Sequence, residues 1–328
     1  LGLSPVILPA RHPYSLACVD DLAAALHRSG ANLAHAHGYR ALVTGALAKW
    51  RGRSAIPLVK TEHGRPEGLR RALPALSPAA LRYAADRVAT RRAARAVTYV
   101  TEAVARFYEQ AHRGLSRRVV HNGIDPIERA GCPRPSELEA GGVNLGVVGR
   151  LSAVKGIPVA LRALASPQVP ENVRLYLVGA GPLDAALRRE ATDLGLGERV
   201  RFLGFRPDAL HFIAHLDCLL MPSRHEGLPY TLLESMSLGT PVIGSRVGGI
   251  ADVLQDGETG LLVPSEDPDA LRRAILRITG DPGLGRALAS AAARLQRSRY
   301  TLDDMGSRYL ALYEECLSGP AHTTGSLP

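Results

Sequence analysis

The residues best suited to chemistry lie in the block Met221-Pro222-Ser223-Arg224-His225-Glu226-Gly227-Leu228-Pro229-Tyr230-Thr231-Leu232-Leu233-Glu234. Glu226 and Glu234 are eight residues apart, so they are not neighbours on one helical turn. A strand is predicted to end near Met221. A helix is predicted to begin near Pro229 or Tyr230, because proline suits a first turn whose N–H groups have no intrahelical acceptor. The block thus places Glu226 in a loop and Glu234 on the second helical turn, near the face of Tyr230 and Thr231. The N–H groups of the first turn, with Gly227 allowing close approach, form an anion site. Carboxylates flanking such a site can accept hydroxyls on either side of a diphosphate, one from a sugar and one from a ribose. Gly149-Arg150-Leu151-Ser152-Ala153-Val154-Lys155-Gly156 adds two cations, Arg150 and Lys155, at a strand–helix junction. They suit a diphosphate leaving group, whose charge grows in the transition state. Taken alone, the same two residues would read as an ordinary surface pair.

Short apolar runs alternate with helical stretches along the chain, the signature of βαβ units and parallel sheets. In the C-terminal half, strands are predicted at 143–148, 174–178, 200–203, 218–221, 241–243 and 260–263. Helices are expected from about 157 and up to about 194. In the N-terminal half, helices are predicted at 20–27 and 39–49, with strands at 32–36, 56–61, 96–99 and 118–121. The expected domains are residues 1–126 and 143–300, with a proline- and glycine-bearing linker at 127–142. The chain reads as helical from about 267 to 317, with 301–317 as a C-terminal helix and 318–328 as a disordered tail. The fold class is α/β, with two Rossmann-like, doubly wound domains facing a cleft. Ligands favour the carboxyl ends of such strands.

Bulk properties bound the function. The 328 residues suit two domains, and 46% hydrophobic content supports ordinary cores. The sequence has no apolar run of eighteen residues and shows no signal peptide at its start. Cys18, Cys132, Cys218 and Cys316 are scattered without a C-x-x-C pair. This argues against a thiolate zinc cage and fits a reducing cytoplasm. Residues 1–140 hold 21 Lys+Arg against 11 Asp+Glu, so the net positive charge of the chain sits in this part. An anionic partner is one explanation, and arginine-rich composition by itself is the other. The stretch 69–94, with Arg70, Arg71, Arg82, Arg87, Arg91 and Arg92, is either a basic amphipathic surface for anionic lipid or a solvated helix pair broken near Pro74 and Pro78.

Several motifs together resemble the GT-B, family 4 retaining glycosyltransferases (glycosyl transferases group 1). They are the G-R-L-x-x-x-K-G run, the turn Val178-Gly179-Ala180-Gly181-Pro182, and E-G-L-P-x-x-L-L-E at 226–234. To these are added Gly239-Thr240-Pro241-Val242-Ile243, Gly248-Gly249-Ile250 and Asp256-Gly257-Glu258-Thr259-Gly260. The match spans about 143–280 in order and spacing. The resemblance implies EC 2.4-type transfer from a UDP- or GDP-sugar, with no cofactor or metal required. It implies that Gly149, Arg150 and Lys155 hold the donor diphosphate and that Glu226 binds the transferred sugar with the backbone of Gly227 and Leu228. Pro229, Tyr230 and Thr231 would open the anion-binding helix, and Glu234 would bind the ribose. The base would lie near Gly204, Phe205 and Arg206.

In the N-terminal half, Val59-Lys60-Thr61-Glu62-His63-Gly64 reads as a strand ending in His-Gly. By the same resemblance, His63 faces the cleft and approaches the donor sugar, alongside Glu226, Arg150 and Lys155 as the catalytic set. Asn122-Gly123-Ile124-Asp125 resembles the family's N-G-x-D turn, with a structural role. His35 and His37, two apart on a strand, would with His63 suggest a metal, but no carboxylate stands at a ligand's spacing. The run from Leu1 to Pro9 offers no glycine-rich loop before the first helix. It reads as if the first βα unit of this domain were absent, which puts acceptor binding in question.

Rival classes remain. One is a non-catalytic nucleotide-sugar-binding scaffold or inactive fragment. Nucleic-acid binding lacks an aromatic platform, with aromatics at only 5%. A dehydrogenase would need a third glycine where Asp184 stands. The expected partners are a nucleotide sugar and a glycan or lipid-linked acceptor, with a possible anionic membrane surface. The expected location is the cytoplasm, peripheral to the membrane.

Overall fold

The computed structural model describes residues 7–9, 15–65 and 78–318. Of the expected tail, Ser318 is the last residue of a helix and 319–328 lie outside these residues, as do Arg70, Arg71 and Pro74 of the basic stretch. The chain divides into two compact units, one of Leu1–His121 with Gly306–Pro328 and one of Asn122–Met305.

The first unit contains helix α1 (Leu16–Arg28), strand β1 (Ala34–His37), α2 (Gly38–Trp50), β2 (Leu58–Glu62), α3 (Pro78–Ala93), β3 (Ala94–Tyr99), α4 (Glu102–Tyr108) and β4 (Ser116–Val119). Its strands are parallel in the order β1-β2-β3-β4, stepping in one direction across the sheet. Ser15 starts α1 by accepting from the Cys18 N–H at 3.2 Å, which satisfies one of the unpaired donors of a first turn. Strand β2 is buried throughout, although it reads Leu-Val-Lys-Thr-Glu.

The alternation of β2 splits its polar residues between two faces. Lys60, fully buried, donates to Asp86 of α3 at 2.6 and 2.8 Å and lies 2.5 Å from Glu62. Burial pushes the Glu62 carboxyl up to about 6 against the pull of Lys60. Asp86, Ala89, Thr90 and Ala93 form the inner face of α3, while Arg82, Arg87, Arg91 and Arg92 are exposed.

The second unit contains β5 (Val143–Val148), α5 (Ile157–Leu164), β6 (Val173–Val178), α6 (Asp184–Asp193), β7 (Val200–Gly204), α7 (Ala209–His215), β8 (Cys218–Met221), α8 (Tyr230–Leu238), β9 (Val242–Ser245), α9 (Gly248–Val253), β10 (Leu261–Val263), α10 (Pro268–Gly280) and α11 (Pro282–Arg299). Its six parallel strands run β10-β9-β8-β5-β6-β7. The chain winds outward from β5 in one direction and then from β8 in the other, which makes this sheet doubly wound. Leu145, Leu175, Leu177, Leu220 and Ile243 of the strands pack with Ile157, Leu161, Leu271 and Ile275 of the helices in one apolar core.

The helical stretch expected from 267 to 317 is broken into three. Asp281 precedes Pro282, a position that disfavours helical backbone, and its carboxylate accepts from the N–H groups of Gly283 and Leu284 to start a new helix. A second break at Tyr300 and Thr301 precedes α12 (Leu302–Ser318). In the first unit, Tyr309, Leu312, Tyr313 and Cys316 form one stripe of α12, packed with Val59 and Ala96. The sequence-based boundary at 126, with the last helix set apart, differs from the observed division at His121 and Gly306.

Candidate functional site

The reversal of strand order in the second unit falls between β5 and β8, which are paired neighbours. A ligand crevice is expected beyond the carboxyl ends of strands at such a switch point. Those two ends carry Gly149-Arg150 and Pro222-Ser223, the loops singled out by residue chemistry. The turn after β6 supports the first loop: Gly149 N–H donates to Val178 O at 2.9 Å and Leu151 N–H to Ala180 O at 3.0 Å. Gly156, at φ +62°, lies so close to the Pro222 carbonyl that any Cβ would collide with it. Arg224 N–H donates to Val154 O at 2.8 Å, locking the two loops together.

This locking brings Lys155 Nζ to 2.8 Å from Glu226 Oε1. Ser223, 1% exposed, donates through Oγ to the same oxygen at 2.8 Å. Glu226 is therefore held from two directions. Its backbone is fixed as well: Gly249 N–H donates to Glu226 O at 3.3 Å, and Gly248 sits where a side chain would strike that carbonyl. The Gly248-Gly249 pair thus permits α9 to start against the Glu226 loop.

Pro229 occupies the capping position of α8 with extended backbone, not the first turn; Tyr230 is the first helical residue. Glu234 lies one turn after Tyr230. Among the described residues no hydrogen bond or ion pair engages its carboxylate, and burial pushes its pKa above the ordinary carboxylate value. A half-buried carboxylate with open lone pairs is an acceptor for hydroxyls. Asn122, buried, donates through Nδ2 to Leu228 O at 2.8 Å, so the N-G-x-D turn braces the loop between the two carboxylates.

Gly204 lies beside this group, with Gly179 N–H donating to its carbonyl at 2.7 Å. The Arg206 guanidinium is engaged within the protein: it forks onto Asp208 at 2.7 and 2.8 Å, reaches Glu137 at 2.5 Å, and lies over the Phe212 ring. Phe205 is 77% exposed, leaving an aromatic face available for stacking.

In the first unit, His37 and His63 sit at the carboxyl ends of β1 and β2. His37 Nδ1 and His63 Nε2 are 2.8 Å apart, a hydrogen-bond distance. His35 lies behind His37 with ring centroids 4.3 Å apart. Its Nδ1 meets Tyr313 Oη at 2.6 Å and its Nε2 meets Thr61 Oγ1 at 2.7 Å. Among the described residues no group of three His, Cys, Asp or Glu is arranged to hold a metal.

Comparison with known proteins gives this geometry its context. Residues 1–128 match the family profile Glycosyltransferase Family 4, and residues 142–281 match Glycosyl transferases group 1. The chain belongs to this glycosyltransferase family. One relative is the lipopolysaccharide core biosynthesis glycosyltransferase LpsE of Rhizobium meliloti, 36% identical over 165 residues, covering 50% of this chain and 48% of that protein. Another is the 2-deoxystreptamine glucosyltransferase of Streptomyces kanamyceticus, 32% identical over 254 residues, covering 71% and 64%. The crystal structure of Anabaena Alr3699/HepE in complex with UDP and glucose superposes with a TM-score of 0.78 at 25% identity, covering 93% and 84%. The likeness extends over both parallel-sheet domains of the GT-B fold. The chain spans about half the length of the first curated relatives it matches.

Within this family 4 chain, three side chains at these loops carry little signal in residue type. Ser223 stands three residues before Glu226, and that spacing was its only signal. Asn122 read as a turn former, because its partner Leu228 is 106 residues away. His37 reads in the sequence only as a possible metal ligand, and its hydrogen bond to His63 is a contact between strands.

Proposed function

We propose that this chain moves a sugar from a nucleotide-diphosphate sugar to a glycan, lipid-linked or small-molecule acceptor, with retention at the anomeric carbon. The observation that carries the reading is the grouping of Lys155, Glu226 and Ser223 at the switch point of the second unit, in the family's motif positions. The names of LpsE and the 2-deoxystreptamine enzyme, and the UDP and glucose held by HepE, support a nucleotide sugar and a saccharide or aminocyclitol acceptor.

In this reading Arg150 and Lys155 neutralise charge developing on the diphosphate, helped by the first-turn N–H groups of Tyr230 and Thr231. Lys155 holds one oxygen of Glu226, and the other accepts sugar hydroxyls. Glu234 accepts from the ribose, and the base lies against Phe205 and the backbone of Gly204 and Arg206. His63 is assigned to sugar hydroxyls. The departing diphosphate takes the acceptor's proton on the face it leaves, which accounts for retention without a protein nucleophile. The exposed face of α3, with Arg82, Arg87, Arg91 and Arg92 beside Leu81 and Val88, is assigned to an anionic membrane surface. Among the described residues no helix is long and apolar enough to cross a membrane. Titration calorimetry of the full chain with UDP, GDP and ADP tests the donor site. Binding of one, weakened by Glu234→Ala, is expected; no binding of any overturns the reading.

A further inference from the structure

We propose that His37 and His63 form one unit that binds adjacent hydroxyls of an uncharged polyol, each ring fixing the tautomer of the other. The proposal rests on the glycosyltransferase reading for its ligand class, but its geometry lies wholly in the first unit. A hydrogen bond between two neutral imidazoles needs one N–H and one bare nitrogen. If His37 Nδ1 donates, His63 Nε2 is bare and its proton sits on Nδ1. If His63 Nε2 donates, His37 Nδ1 is bare and its proton sits on Nε2. In both cases the two rings share the same tautomer. In both cases one outer nitrogen is a donor and the other an acceptor.

Those outer nitrogens are His37 Nε2 and His63 Nδ1, and among the described residues neither has a hydrogen-bond partner. Both residues are solvent-accessible at strand carboxyl ends, with their rings partly buried. One donor and one acceptor on neighbouring rings match two adjacent hydroxyls, one accepting from N–H and the other donating to the bare nitrogen. A phosphate or carboxylate has no proton for the bare nitrogen and would require one further proton on the pair, which makes both outer nitrogens donors.

The surroundings keep the pair neutral and fixed. His35 of β1 lies against His37, and Thr61 of β2 with Tyr309 and Tyr313 of α12 in turn pack on His35. Burial holds His35 down to about 4. Tyr309 Oη lies 3.0 Å from Thr61 Oγ1, completing the clamp on His35. Lys60 and Glu62 project to the opposite face of β2. Burial lowers the pKa of both His37 and His63, and for His63 the neighbouring His37 adds to the effect.

Nitrogen-15 spectra of the histidine-labelled full chain test the unit. His37 and His63 are expected to show the same tautomer at pH 7.5, and His37→Asn to raise the pKa of His63. Methyl α-D-glucopyranoside represents a free saccharide, and UDP-glucose and GDP-mannose represent donors, with UDP and GDP as controls. At least one sugar-bearing probe is expected to shift the outer nitrogens of both rings, while UDP and GDP leave them unmoved. Opposite tautomers, an unchanged His63 titration in His37→Asn, or no shift with any sugar probe overturns the proposal. Calorimetry with UDP and GDP reports separately on the donor site, so failure of one reading is not failure of the other.

Discussion

Lys155 and Glu226, 71 residues apart, form a 2.8 Å ion pair where the strand order of the second unit reverses. The pair ties the cation assigned to the diphosphate to the carboxylate assigned to the sugar. Lys155→Ala is expected to weaken UDP or GDP binding by roughly 10- to 100-fold, the size of a charge-assisted contact of about 1.5–3 kcal/mol. Lys155→Arg should recover only part of the loss, because the wider guanidinium cannot occupy the ammonium's place beside Ser223. Calorimetry on both variants checks the order, and equal affinities would contradict it.

Glu234 couples binding to stability with a definite sign. Its folded pKa is raised by burial, so the folded state holds its proton more tightly than the unfolded state. The stability it withholds is absent below the unfolded value and grows as pH rises through the folded one. Glu234→Gln is therefore expected to raise the melting temperature at pH 7 and leave it unchanged at pH 4. The same variant should bind UDP about tenfold more weakly and lose discrimination between UDP and its 2′-deoxy analogue.

Removing Asn122 leaves the Leu228 carbonyl without its buried donor. Asn122→Ala is expected to cost about 1–3 kcal/mol in urea unfolding. It should also weaken nucleotide binding, because the braced loop carries Glu226 and leads into α8. A variant with full stability and full affinity would show that the bond does not position this loop.

Lys60 has two buried carboxylate partners, Glu62 and Asp86. Lys60→Met is expected to destabilise the first unit by about 3–5 kcal/mol, since it strands buried negative charge. Lys60 is what holds the Glu62 carboxyl down against burial, so in the variant Glu62 takes up its proton more readily, and lowering the pH should recover part of that loss. Chemical unfolding of the variant at pH 7 and pH 5 checks both the size and the recovery.

Much of the second unit was legible in the sequence. Its strands are short apolar runs, and their periodicity is a local property that survives without knowledge of neighbours. Strand β8 falls at the predicted residues, and β5 does too. The loops at 149–156 and 222–228 were legible because glycine, proline and charge recur there at set spacing. The first unit was harder to read: β2 carries Lys60, Thr61 and Glu62 inside a fully buried strand, so its sequence looks half-polar. Only the pairing with Asp86 on one face and His35 on the other explains that burial.

The sequence by itself determined the strands of the second unit, the switch-point loops and the family, because each depends on residues close in the chain. Tertiary structure decided that Lys155 meets Glu226, that Asn122 braces Leu228, that α12 clamps His35, and that His37 bonds to His63. It also decided that Arg206, predicted near the base, has its charge taken up by Asp208 and Glu137. These contacts arise when strands and loops distant in sequence are brought to hydrogen-bond distance, and residue type and spacing do not encode which of the available partners a side chain will reach.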